Sequence, residues 1–173
     1  MAASPSPENA ESAPHPLSST WTLWAHLPHD TDWSVDSYKR IVTFDTVEDL
    51  IALYQAVPET MIRNCMLFLM REDVRPTWED AKNRDGGCFS FKVGNKTVPS
   101  VWTQLSYALA GETLASDQSL MDTITGVTIS PKKNFCVVKV WLSGCDYKNP
   151  EGLLAIAGLP TAGCIFKRHL PGH

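Results

Sequence analysis

The chain has 173 residues, 43% of them apolar, which is material for one sizeable core rather than two. Fifteen Lys and Arg against 19 Asp and Glu give a net charge of −4. That excludes a globally basic surface for nucleic acid or anionic membrane, and leaves room only for a local basic cleft. The longest unbroken apolar run, Cys65–Met70, is six residues, far below the roughly 18 a membrane span needs, so no membrane partner is expected. No basic patch followed by an apolar stretch marks the start, so no secretory signal is expected. Five cysteines without paired spacing suit a reducing compartment, and a cytoplasmic location is expected.

Residues 1–16 carry four prolines among Ser and Ala and little to bury, so they read as a disordered tail, with one domain over 17–173. Residues 20–27 alternate and predict a strand that Pro28 stops. His29 to Trp33 is a polar loop holding a tryptophan. Residues 38–43 predict a second strand. Phe44 to Tyr54 is the clearest helix, with Asp45 or Thr46 as cap and Val47, Leu50, Ile51, Tyr54 and Val57 forming one apolar stripe. Cys65 to Met70 reads as a strand buried on both faces. Arg71 to Asn83 is polar and turn-like, yet contains Trp78. Cys88 to Val93 alternates, with Cys88, Ser90 and Lys92 on one face and Phe89, Phe91 and Val93 on the other. Gly94-Asn95 could close a hairpin, but Pro99 better suits the first turn of a helix. That helix is predicted over Ser100–Leu109, ending at Gly111. Strands follow at 126–130 and 135–142 around a Pro131–Asn134 turn. A short helix is predicted over Asn149–Leu159, and a last strand over 163–169. The order argues for an α+β fold with an antiparallel-rich sheet and helices on one face.

Catalytic signatures are weak. His26-x-x-His29 with Asp30 and Asp32 has a metal flavour but reads better as a polar loop at a strand end. Cys88 beside Gly86-Gly87 has no His near it in sequence to activate a thiolate. Asp30, Asp32 and Asp36 lack the helix-borne Glu pairs of a metal-dependent nucleotide-processing enzyme. No enzyme activity, metal or cofactor is expected. Trp33 and Trp78 stand out, because a large ring in a polar loop leaves apolar surface in water unless something covers it. Trp78 precedes Glu79. A ring beside a carboxylate suits a flat, electron-poor ligand that donates paired N–H bonds.

His15-Pro16-Leu17, Trp21-Thr-Leu-Trp24, the eleven residues Phe44–Tyr54, and Pro76-Thr-Trp78-Glu79-Asp80-Ala-Lys-Asn83 followed by Gly86-Gly87 together resemble the eukaryotic initiation factor 4E family, the messenger-RNA cap-binding proteins. The spacing continues through Trp102, Gly111-Glu112 and Trp141, so the resemblance runs from about residue 15 to 142. It implies a curved sheet of about seven to eight strands backed by three helices on the convex face, acting as a monomer with capped messenger RNA in the concave face. By resemblance, Trp33 and Trp78 sandwich 7-methylguanine, Glu79 accepts from its N1–H and amine, and Trp141 lies against the methyl group. The family's Arg after the Gly-Gly pair is Cys88 here. Its second basic cluster falls on Lys132, with Lys133 beside it, and strand parity offers Lys139 and Lys92 as replacement cations for the phosphates. The convex face, by resemblance, receives a Tyr-x-x-x-x-Leu-apolar helix from a scaffold initiation factor or a repressor, at His15, Pro16, Leu17, Val47, Ile51, Thr103, Tyr107 and Gly111. The family norms of Trp at 51 and Leu at 103 are replaced by Ile and Thr, which reads as a divergent paralogue of the kind found in a protist such as a trypanosomatid. Recruitment of messenger RNA to translation is the expected role. A cap-binding repressor or storage adaptor shares the pocket and differs only on the convex face.

Overall fold

The computed structural model describes residues 13–169. The tail expected over 1–16 lies outside the described residues as far as residue 12. Beyond that the expectation is corrected: the first strand, β1, already begins at Pro16 and runs to His26. The His15 main-chain N–H donates to Glu48 Oε2 at 2.9 Å, so this segment is tied to the fold.

The other elements are β2 (Tyr38–Thr46), α1 (Val47–Ala56), α2 (Glu59–Asn64), β3 (Met66–Arg71), β4 (Gly87–Gly94), α3 (Val98–Ala110), α4 (Gln118–Thr123), β5 (Ile124–Pro131), β6 (Phe135–Leu142) and β7 (Ile165–Arg168). Seven strands form one sheet in the order β2-β1-β3-β5-β6-β4-β7, and every pairing is antiparallel. The predicted α+β class and strand number hold. Among the described residues four helices stand where three were expected.

Three differences have local causes. Phe44 extends β2 opposite Trp21 rather than opening a helix, because its ring is buried in the core. The helix starts at Val47, capped by Thr46 Oγ1, which accepts from the Asp49 amide at 3.2 Å. Next, α3 begins at Val98, so Pro99 occupies its second position, where no amide is missed. Last, the helix expected over 149–159 is not formed: only Pro150–Gly152 makes a 3-10 turn. Leu153, Ile156 and Leu159 are buried at three-residue spacing and imitate a helical stripe. Gly158 at φ 88° breaks any continuous helix there. The helices α2 and α4 are six residues each, too short for a periodic pattern to announce them.

Pleat parity divides the sheet. Trp21, Leu23 and Ala25 point to one face and join Trp102, Leu105 and Leu109 of α3 in the main core. The opposite face carries a separate aromatic cluster of Phe68, Met70, Val74, Cys88 and Trp141, with Trp24 and Tyr38 packed on it. Among the described residues no helical residue joins that cluster, so this face of the curved sheet is not covered by a helix. Among the described residues no helix is long and apolar enough to cross a membrane.

Candidate functional site

Two loops rise over the helix-free face. The first joins β1 to β2. Asp32 organises it: its carboxylate accepts from the Ser34 amide at 2.8 Å and from the Ser34 hydroxyl at 3.0 Å. Those bonds hold the Asp32 carboxyl below its usual range. They also turn Trp33 back over the sheet end. Its ring lies flat on His26, with centroids 3.9 Å apart and planes 6° from parallel. His26 is thus engaged twice, since Nε2 also meets the Asp32 carbonyl at 2.8 Å. One face of Trp33 is covered by imidazole, and the side chain as a whole stays 56% exposed.

The second loop joins β3 to β4 and has no regular structure, so side chains shape it. Asp80 Oδ2 accepts from the Arg75 amide at 3.0 Å, and Oδ1 from the Lys82 amide at 2.9 Å. Fully buried Asn83 donates through Nδ2 to the carbonyls of Thr77 at 2.9 Å and Arg75 at 3.3 Å. Trp78 and Glu79 therefore sit at the tip of a loop pinned on both sides, with Trp78 41% exposed. At the loop's end, a Cβ on Gly86 would come within 1.7 Å of the Leu142 carbonyl oxygen, and one on Gly87 within 2.5 Å of that of Lys167. The Gly-Gly pair is required by this close approach of three backbones.

Between the loops lies a cleft of about 420 Å³. Trp33 and Val35 form one wall, and Arg75, Thr77 and Glu79 the other. Trp78 is not in the wall of this cleft but stands next to it on the loop tip. Glu79 is exposed at the cleft wall, and its charge is felt at Tyr38: burial, and then the Glu79 carboxylate, push the phenol upward. Tyr38 in turn meets Trp33 edge-on at 6.5 Å and Phe68 at 5.4 Å. An aromatic floor thus runs from the cleft toward Trp141. A cavity of about 440 Å³ lies elsewhere, around Arg71 and Glu112. Its guanidinium is already spent on Glu112, Ser19 and the Ile124 carbonyl, at 2.9, 2.9 and 2.7 Å, so it offers a ligand little.

Trp141 is buried on the floor, its indole N–H donating to Thr128 Oγ1 at 3.2 Å. The register sets the cations around it. Ser90 pairs with Lys139, and Cys88 pairs with Trp141 on one side and Lys167 on the other. Lys139 and Lys167 therefore flank Cys88 on the cleft face, as strand parity requires. Burial raises the Cys88 thiol, while both ammonium groups pull it the other way. Lys139 shares the face of Trp141. Lys92 shares the face, but its ammonium lies over the Phe135 ring at 4.3 Å. Lys132 and Lys133 are exposed on the β5–β6 turn, beyond Cys136 and so roughly 17 Å along β6 from Trp141 at 3.3–3.4 Å per residue. The structure does not bring them to the cleft. Neither lysine lines the cleft itself. Lys167 escaped the sequence reading. Its alternation was legible, but only the β4–β7 pairing puts it beside Cys88.

On the helical face, α1 and α3 meet at Tyr54 and Tyr107, edge to face at 5.7 Å, and Tyr54 donates to Ser106 Oγ at 2.7 Å. Ile51 is 42% exposed beside them and Tyr107 39%. Val47 and Thr103 are half-buried on the same helices, and Leu17 is half-buried at the start of β1. His15, Pro16 and Gly111 are exposed. His15 Nδ1 pairs with Glu48 Oε1 at 2.5 Å.

A flat cationic base with an anionic tail matches the cleft in chemistry. Rings supply stacking, a carboxylate accepts paired N–H groups, and two ammonium groups lie farther along the floor. Comparison with known proteins gives the same direction. The sequence model of the family "Eukaryotic initiation factor 4E" matches residues 16–159. The eukaryotic translation initiation factor 4E of Saccharomyces cerevisiae is 34% identical over 151 residues, covering 83% of this chain and 68% of that protein. That of Eremothecium gossypii is 35% identical over 134 residues, and the chain spans 73% of itself and 62% of that relative in the match. Among solved structures, Schistosome eIF4E complexed with m7GpppG and 4E-BP superposes with a TM-score of 0.70 at 25% identity, over 78% of this chain and 75% of that one. C. elegans eIF4E-3 with the 4E-binding protein Mextli and cap analog gives 0.69 at 28% identity, over 76% of each.

Proposed function

The chain belongs to the eukaryotic initiation factor 4E family, and from that premise we propose that it binds the 7-methylguanosine cap of messenger RNA in the cleft between Trp33 and Glu79. It then delivers the messenger to the translation initiation machinery through a partner on the helical face. The observation that carries this reading is a cleft walled by Trp33 and Glu79, with exposed Trp78 next to Glu79 on the loop tip and a helix-free aromatic cluster on the same face of the sheet. The open face of Trp33 takes one side of the base, and Trp78 closes over the other. Methylation at N7 leaves the base positively charged, so two indoles gain a cation–π contribution of about 0.5–2 kcal/mol that unmethylated guanine lacks. Glu79 accepts from N1–H and the exocyclic amine. Trp141 lies against the methyl group on the floor.

The phosphates run past Cys88 between Lys139 and Lys167. These two ammonium groups take the place of a guanidinium at position 88. Lysine contacts phosphate as a point charge without the planar fork of Arg, so recognition leans on the base more than on the triphosphate. The reading assigns no chemical step to the protein, which acts as a monomeric adaptor in the cytoplasm. The half-exposed aliphatic Ile51, where an aromatic anchor would be stronger, also supports a second reading, a cap-bound repressor or storage adaptor that engages a different partner.

Tryptophan fluorescence tests the reading. Titration with 7-methyl-GTP should give saturable quenching, and GTP should bind much more weakly. Changing Trp78 to Ala should remove about 1–3 kcal/mol, the scale of one base–aromatic stack. Equal affinity for GTP and 7-methyl-GTP, or unchanged affinity in Trp78→Ala, would reject the assignment.

A further inference from the structure

Asn83 and His169 lie outside the residues that touch the proposed ligand, yet they connect the loop carrying Trp78 and Glu79 to Trp141. Asn83 is fully buried and spends every polar group. Its Nδ2 holds the Thr77 and Arg75 carbonyls, and its Oδ1 accepts from Thr125 Oγ1 of β5 at 2.7 Å. Its amide donates to the Asp80 carbonyl at 2.9 Å, and its own carbonyl accepts from the Gly86 amide at 2.9 Å. The same carbonyl faces His169 Nδ1 at 2.6 Å. A carbonyl oxygen can only accept, so this bond fixes the proton on Nδ1. His169 follows β7 directly. Its main-chain amide donates to the Gly86 carbonyl at 3.0 Å. Its ring lies over Trp141, with centroids 4.7 Å apart and planes 47° apart. One residue thus grips both the foot of the Trp78–Glu79 loop and the floor ring.

We propose that Asn83 and His169 form a positioning latch, in which the end of the last strand fixes the loop carrying Trp78 and Glu79 relative to Trp141. The inference rests on the cap-binding reading for its ligand but not for its geometry. The β3–β4 loop has no helix or strand of its own, so its shape depends on the carbonyls Asn83 holds. The residues between the pinned Thr77 carbonyl and the pinned Asp80 carbonyl are Trp78 and Glu79. Releasing His169 leaves the Asn83 carbonyl with one partner fewer and uncovers the edge of Trp141. The loop then keeps its sequence but loses a fixed height above the floor.

The test uses the full chain with His169→Phe and His169→Ala. The Phe variant keeps a ring on Trp141 and removes only the Nδ1 donor, so it should also fold where Ala weakens the packing. Two readouts are taken. Amide hydrogen exchange in the ligand-free protein should speed up across residues 75–82 in both variants, while amides of β1 and β3 keep their rates. Affinity for 7-methyl-GTP should fall about tenfold, the scale of one lost charged-site or buried bond. Binding of a Tyr-x-x-x-x-Leu-apolar peptide to the helical face should stay within about twofold of wild type. Unchanged exchange in 75–82 in both variants overturns the latch, and so does an equal loss of cap and peptide binding, which would mark a general loss of fold. If the wild-type protein fails to bind 7-methyl-GTP, the cap reading falls, and the exchange data still decide the latch.

Discussion

In the proposed reading, the carboxylate at Glu79 and the cations around Cys88 divide the work of recognition, and each can be tested by one atom. Glu79→Gln keeps size and shape but replaces one acceptor by a donor, so one N–H of the base meets an N–H. The loss should exceed that of a neutral hydrogen bond, about 1.5–3 kcal/mol for a charged acceptor, read as the ratio of 7-methyl-GTP affinities by calorimetry. Wild-type affinity in Glu79→Gln would mean the carboxylate does not read the base. For the phosphates, the step from 7-methyl-GMP to 7-methyl-GTP isolates the tail. Lys139→Ala and Lys167→Ala should each shrink that step and flatten its salt dependence. Lys132→Ala should leave both unchanged, since Lys132 lies on the β5–β6 turn and does not line the cleft. A step that responds to Lys132→Ala and ignores Lys167→Ala would move the tail to the β5–β6 turn. The exposed, polar-loop placement of Trp33 and Trp78 was legible in the sequence because rings in polar loops are chemically out of place. Lys167, Asn83 and His169 were not, because each acquires its role only from strand pairing or from a main-chain carbonyl that no side-chain pattern reports.

The elements differ in how far local chemistry decides them. Helix α1 announced itself by its stripe, and its true start depends on Thr46. Thr46→Ala should cost about 1 kcal/mol of stability, measured by urea unfolding, because the Asp49 amide loses its acceptor. The segment 149–159 misled by the opposite route: three buried residues at helical spacing on a chain that Pro150, Gly152 and Gly158 keep irregular. There tertiary burial imitates a secondary pattern. At the end of β7, burial first, and then the neighbouring Lys139, hold the His169 imidazole below its ordinary range, while the Asn83 carbonyl opposes them. The unfolded chain therefore binds a proton near about pH 6.5 that the folded chain resists. Its contribution to stability is complete above that pH and is lost as pH falls toward the folded value. Thermal stability should decline from about pH 7 to about pH 5, and His169→Phe should remove part of that slope. A slope that is identical in His169→Phe would place the titration elsewhere. The carboxyls of Asp32 and Glu48, held low by the Ser34 and His15 bonds, lose their contribution only in a more acid window, below about pH 4.

At the scale of the whole molecule, one sheet separates two surfaces built on different principles. The cleft face is aromatic and roofed by two loops that side-chain hydrogen bonds hold in place. The helical face is a packed shoulder of α1 and α3 with an aliphatic step between aromatic residues. Tyr107 and Tyr54 supply rings and a hydroxyl there, but Tyr54 already gives its proton to Ser106. Ile51, 42% exposed, offers apolar area and no donor. A partner helix carrying Tyr-x-x-x-x-Leu-apolar gains most from a large anchor that both buries area and donates to a backbone carbonyl, the kind of residue that dominates interface energetics. Such a peptide should bind the wild-type shoulder weakly, and a partner with a bulkier apolar side chain facing Ile51 should bind better. Ile51→Trp should then strengthen the Tyr-x-x-x-x-Leu-apolar peptide by about tenfold, short of the roughly 30-fold that marks a full hot-spot residue. Since the sheet lies between, 7-methyl-GTP affinity should not change in the same variant. Calorimetry of both ligands against wild type and Ile51→Trp decides it. A wild-type shoulder that already binds the peptide tightly, with no gain from Ile51→Trp, would show that position 51 does not set the choice of partner.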